Sequence, residues 1–184
     1  MARSVSQALL LVDGYNVIGT WPDLKQLCDR HSMAEARRSL TERLISFSAA
    51  KDYETQVVFD AHYQDIPGNC EAVTSYFSIY YTDYRQSADT YIEAFCAHYR
   101  QDARRHRQPL IVATSDRTHQ HTVQGYGANW ISSHRLRTEV ELASQQVRRR
   151  QSSKRRSPGR FLGRSLDPVA QQRLADLQRG LEQQ

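Results

Sequence analysis

Apolar residues along this chain gather in two kinds of run. Short continuous runs read as strands buried on both faces, and longer stretches repeat their apolar positions at helical spacing. Runs of the first kind are ALLLV (8–12), TQVVFD (55–60), YFSIYYT (76–82), PLIVATSD (109–116) and the short ANWISS. Residues 32–51 predict a helix: Ser32 can cap it, Glu35 follows three residues later, and Ala36, Leu40, Leu44 and Phe47 form the apolar stripe. Residues 87–106 predict a second, long helix carrying Ala88, Ile92, Phe95 and Tyr99 on one face. RTHQHTVQGYG predicts a short helix closed by Gly125 and Gly127. Residues 133–150 predict another, with Leu136, Val140 and Ala143 or Val147 inward. Residues 165–184 predict a closing amphipathic helix with Val169, Leu174, Leu177 and Leu181. The stretch 61–75 reads as loop around its Pro-Gly-Asn centre. No internal repeat is visible, and strands alternating with helices call for an α/β fold with a mostly parallel sheet.

Composition changes this picture at one end. The chain has 184 residues and a net charge of +5, yet residues 148–164 alone carry +8 with no acidic residue, leaving −3 for the rest. A domain over 1–147 followed by a basic arm and closing helix over 148–184 is therefore expected. Arg148, Arg149, Arg150, Lys154, Arg155 and Arg156 are the candidate RNA-backbone contacts. A solvated charge run and an anionic membrane surface are the competing readings of the arm. Its only aromatic residue is Phe161, so base stacking there is not indicated. Cys28, Cys70 and Cys96 are far apart and odd in number, which suits a reducing cytoplasm better than a disulfide framework. Neither a leader nor a membrane-spanning segment is expected.

The chemistry concentrates in carboxylates. Asp13, Asp60 and Asp116 each end a predicted strand, and Asp89 falls in the first turn of a predicted helix. In an open α/β sheet, ligands bind outside the carboxyl ends of the strands. Singly, each aspartate reads as a turn or cap residue. Jointly they would repel one another unless a cation lay among them. Mg²⁺ or Mn²⁺ suits oxygen ligands and can activate water against a phosphate. In LLLVDGYNVIG, Asn16 adds an amide near the same edge, and Thr114 and Ser115 add hydroxyls for hydrogen bonds around the site or at the strand end. There is no P-loop, dinucleotide fingerprint or nucleophile elbow. His62, His119 and His121 lack zinc spacing, and the last two read as polar helix residues. Asp65 and Asp83 read as surface residues.

In order, LLLVDGYNVIG, VVFDAH, SADTYIE and IVATSDRTHQ…GYGA resemble the YacP-like NYN domains, a branch of the PIN-like nuclease superfamily. The likeness spans about residues 9–147, and LDPVAQQRLADLQRG is similar to that branch's closing helix. The resemblance implies a PIN-like three-layer α/β/α sandwich and an Mg²⁺- or Mn²⁺-dependent endoribonuclease, with ribosome-associated mRNA as a candidate substrate. By position it implies Asp13, Asp89 and Asp116 as catalytic and metal-binding residues, Asp60 as a further carboxylate, and Asn16 as support. The sequence departs from the family pattern after TSDR, where His119 stands in place of an expected acid ahead of Gln120. A non-catalytic RNA- or ribosome-binding module is the alternative reading. A phosphotransferase would need an acid two residues after its nucleophilic aspartate, where this chain has Tyr15.

Overall fold

The computed structural model describes residues 6–60 and 68–155, with side chains to residue 152. The chain divides into two compact units, Met1–Ser144 and Gln145–Gln184. His62, Asp65, Arg156 and the expected closing helix lie outside the described residues.

The first unit is built on a six-stranded sheet. Its strands are β1 (Ala8–Asp13), β2 (Tyr53–Phe59), β3 (Asn69–Thr74), β4 (Phe77–Tyr81), β5 (Leu110–Ala113) and β6 (Asn129–Ile131). They lie in the order β3-β4-β2-β1-β5-β6, and every pairing is parallel except β3 with β4. The helices are α1 (Gly14–Thr20), α2 (Pro22–Arg30), α3 (Met33–Lys51), α4 (Ala88–Tyr99), α5 (Arg117–Gly125) and α6 (Ser133–Arg155).

Period-two alternation along β1 explains the layers. Leu10 and Val12 face one side and join Val17, Trp21, Leu24, Leu40, Leu44 and Leu136 of α1, α2, α3 and α6. Leu9 and Leu11 face the other and join Ile92, Cys96 and Val123 of α4 and α5. The result is the expected three-layer α/β/α sandwich. Among the described residues, no helix is long and apolar enough to cross a membrane.

Four local expectations change. LLLVDGYNVIG does not turn after its strand: Asp13 caps α1 directly, its side chain accepting from the Asn16 amide at 3.1 Å. Residues 69–74, read as loop, form the antiparallel edge strand β3. The long helix ends at Tyr99 and is followed by a 3₁₀ turn, Ala103–His106. In the last helix Ala143 is buried and Val147 exposed, and the helix continues past Arg150 to Arg155.

Candidate metal centre

Parallel strands bring their carboxyl ends, and the helix starts that follow them, to one edge. Asp13 is the last residue of β1 and Asp60 directly follows β2. Asp116 caps α5, its Oδ1 accepting from the amides of Thr118 (2.7 Å) and His119 (3.2 Å). Asp89 lies in the first turn of α4, whose Ser87 cap accepts from the Thr90 amide at 3.1 Å. Asp60 accepts from the Ala88 amide, which ties the end of β2 to the turn that carries Asp89.

Side-chain geometry then separates these residues. Asp13, Asp89 and His119 each offer a ligand atom within 4.8 Å of the others. His119 is 3% exposed, so the sequence expectation of a polar surface helix residue is wrong for it, while His121 is exposed as expected. The helix begins at Arg117 as expected; the burial escapes the sequence reading because histidine usually prefers the surface, although His119 shares the buried face of α5 with Val123. The four-residue spacing from His119 to Val123 and the departure from the family pattern at this position are signals that could find it.

His119 Nδ1 lies 2.9 Å from Asp89 Oδ1. Neither of its ring nitrogens has an aligned hydrogen-bond partner among the described residues, so the contact with Asp89 is ionic rather than a formed hydrogen bond. Burial pushes the Asp13 carboxyl up to about 6; its amide bond from Asn16 opposes this, and the neighbouring Asp89 and Asp60 add to it. Asp89 is held below the usual carboxylate range by His119. For His119, burial favours the neutral ring, but the Asp89 carboxylate outweighs it and raises the imidazole above its ordinary value.

The neutral polar residues brace the site. Asn16 Oδ1 accepts from the Ser115 amide (2.9 Å) and from Ser133 Oγ (2.8 Å), tying α1 to the segment after β5 and to the start of α6. Ser115 Oγ accepts from the Ser133 amide at 3.1 Å, and Thr114 Oγ1 accepts from the Asp116 amide at 3.2 Å. All three therefore orient backbone at the strand ends. Asp83 is exposed and accepts from the Gly68 amide.

Comparison with known proteins shows the family and the fold. The family model described as the YacP-like NYN domain matches residues 10–179. The protein YacP of Bacillus subtilis strain 168, described as uncharacterised, is 35% identical over 143 residues, covering 77% of this chain and 80% of that one. The crystal structure of Rae1 (YacP) from Bacillus subtilis superposes with a TM-score of 0.65 at 28% identity, covering 95% of each chain. The crystal structure of a single-substitution mutant of Rae1 superposes with a TM-score of 0.67, also at 28% identity, covering 92% of this chain and 99% of that one.

Proposed function

The chain belongs to the YacP-like NYN domain family, whose domains are nucleases, and we propose that it is a divalent-metal-dependent endoribonuclease. The observation that carries this reading is the convergence of Asp13, Asp89 and His119 at the carboxyl edge of a parallel sheet. Two features fit a cation there. A buried carboxyl with a raised pKa lacks compensating charge, and the buried Nε2 of His119 has no partner among the described residues. Asp13 and Asp89 would hold the ion, with His119 as third donor. Oxygen donors suit either Mg²⁺ or Mn²⁺, whereas an imidazole in the set favours Mn²⁺. When bound, the metal supplies charge for the scissile phosphate and a more acidic water for attack.

The chain's own residues supply position. The hydrogen bond that the Ala88 amide donates to Asp60 holds the start of α4 and so aims Asp89, and Asp116 holds the start of α5 and so aims His119. Asp116 Oδ2 has no partner among the described residues, which leaves that oxygen for a second ion or for a water near the substrate. Asn16, Thr114 and Ser115 keep the loops between these elements in register. The exposed Arg148, Arg149 and Arg150, with Lys154, Arg155 and Arg156, are proposed to hold the RNA backbone, with mRNA on the ribosome as the substrate context. A cytoplasmic setting suits the three free cysteines.

One assay tests the reading. Labelled RNA, free and ribosome-bound, is incubated with wild-type and Asp13→Asn protein, with Mn²⁺ and with chelator. Cleavage only by the wild type with metal is expected. Cleavage that survives both chelation and the substitution would remove the site, and no cleavage of any RNA would leave a binding module instead.

A further inference from the structure

We propose that a cleft on the opposite edge of the sheet is a second RNA-binding site, which holds a backbone phosphate on Arg100 and Arg105. The choice of RNA as ligand rests on the nuclease reading above. The cleft itself, of about 270 Å³, lies where β5 and β6 begin and where α4 and α5 end. The strand β1 separates it from Asp13 by roughly 20 Å, at about 3.3 Å per residue.

Its walls carry the chemistry that recognises a nucleotide. Between Tyr99 and Gln108 there are four arginines and a single acid, Asp102. Asp102 is taken by Arg104 at 2.8 Å, and that guanidinium also sits 5.7 Å from the Tyr99 ring centre. The remaining cations are not neutralised. Arg105 Nη1 donates to the Arg100 carbonyl at 2.7 Å and its Nε to His106 Nε2 at 3.3 Å, which leaves three of its five donor positions, and the Arg100 guanidinium has no partner among the described residues. Both are exposed at the cleft. Guanidinium forks match phosphate oxygens. Beside them the half-buried ring of Tyr126 offers a stacking face, and the amides of Gln124 and Asn129 offer donors and acceptors for a base edge.

The cleft is open because two glycines line it. A Cβ placed on Gly125 or Gly127 would meet nothing within 4 Å. Gly127 has φ of 87°, a conformation that glycine favours, but Gly125 closes α5 without positive φ. A side chain at 125 can therefore enter the space without straining the backbone.

A long RNA bound at both edges gains by effective concentration, so the second site should lower KM for long substrates and leave kcat on short ones unchanged. The direct test is fluorescence anisotropy of the full chain, in chelator, with a 5′-labelled RNA of about twelve nucleotides, within the usual single-strand site size. Arg100→Ala/Arg105→Ala should weaken binding about tenfold or more and flatten the salt slope by about 0.7 per phosphate released. Gly125→Met should weaken binding similarly by filling the cleft, and Arg38→Ala, an exposed arginine paired with Glu42 on α3, should not. Unchanged melting temperatures exclude unfolding as the cause.

Wild-type affinity in both cleft variants would overturn the proposal. So would a loss with the arginine pair but none with Gly125→Met, which would mean that surface charge acts without the cleft. Displacement by polyglutamate as effective as by unlabelled RNA of equal charge would overturn RNA as the ligand. Absent cleavage with intact, cleft-dependent binding would sink the nuclease reading and leave this one standing.

Discussion

At Asp13 stability and chemistry pull against each other. Burial raises its carboxyl to about 6, with Asp89 and Asp60 adding to the shift, whereas an unfolded chain ionises near 4. Between about pH 4 and pH 6 the folded protein holds a proton that the unfolded chain has lost. Stability therefore falls as pH rises through that window, by on the order of 2–3 kcal/mol at about 1.4 kcal/mol per pKa unit. Asn at this position can still accept from the Asn16 amide and cannot ionise. Asp13→Asn should raise the metal-free melting temperature at pH 8 by about 5–10 °C and leave it unchanged near pH 4, while abolishing cleavage. Calorimetric melts in chelator check this, and no gain at pH 8 refutes the burial penalty. His119 makes a second test. Asp89 raises its pKa against the effect of burial, and a metal on this ring must displace any proton it carries. Titration of Mn²⁺ in buffers of different ionisation enthalpy should show proton release that falls as pH rises, and release that does not depend on pH refutes it. His119→Glu, restoring an acid at this position, should shift the preferred metal from Mn²⁺ toward Mg²⁺, read as the ratio of cleavage rates in the two ions.

Among the elements, the junction of β1 and α1 controls how Asp13 is mounted. Gly14 is not there for a turn. It starts a helix without positive φ, and a Cβ on it would collide with the Phe59 ring. Gly14→Ala should cost about 1–3 kcal/mol as overpacking despite alanine's better helix propensity. Gly19, in the same helix but with open space around it, should gain up to about 1 kcal/mol as alanine. Paired denaturant unfolding of the two variants separates packing from propensity. These helices are hard to read in the sequence for a specific reason. Gly14, Gly19 and Pro22 are turn signals in a sequence, yet here Gly14 serves a close contact and Pro22 begins α2, where its missing amide costs nothing. The strand β3 escapes a sequence reading because it is an edge strand whose residues are nearly all exposed, so no buried alternation marks it.

For the molecule as a whole, charge is distributed unevenly: an acidic strand-end edge in the first unit, an arginine-lined cleft at the other edge, and the basic arm in the second unit. Arg148→Ala/Arg149→Ala/Arg150→Ala should weaken RNA binding at low salt and flatten the slope of log affinity against log salt by about 2, at roughly 0.7 per phosphate contact. The same slope in this variant as in the wild type would remove the arm from RNA binding. Because the arm and the cleft are far apart in sequence, the losses from the two sets of variants should add if the sites act independently.

What the sequence determined by itself was the layer plan and the family. Buried strand runs alternating with amphipathic helices allow few architectures, and VDGYN, FDAH and ATSD in order identify the branch. Strand-end position also marked Asp13, and the first turn of the helix that follows a strand marked Asp89, because in a parallel sheet both places lie at the edge that ligands reach. Only the tertiary structure decided which side chains converge there. Periodicity reports the face on which a residue lies but not the cap that rotates it. The Asp116 cap at the start of α5 turns His119 inward onto Asp89, and Asn16 faces Ser115 and Ser133 across about a hundred residues of chain. The contacts of His119 with Asp89 and of Asn16 with Ser115 and Ser133 join residues distant in sequence, so no local pattern encodes them.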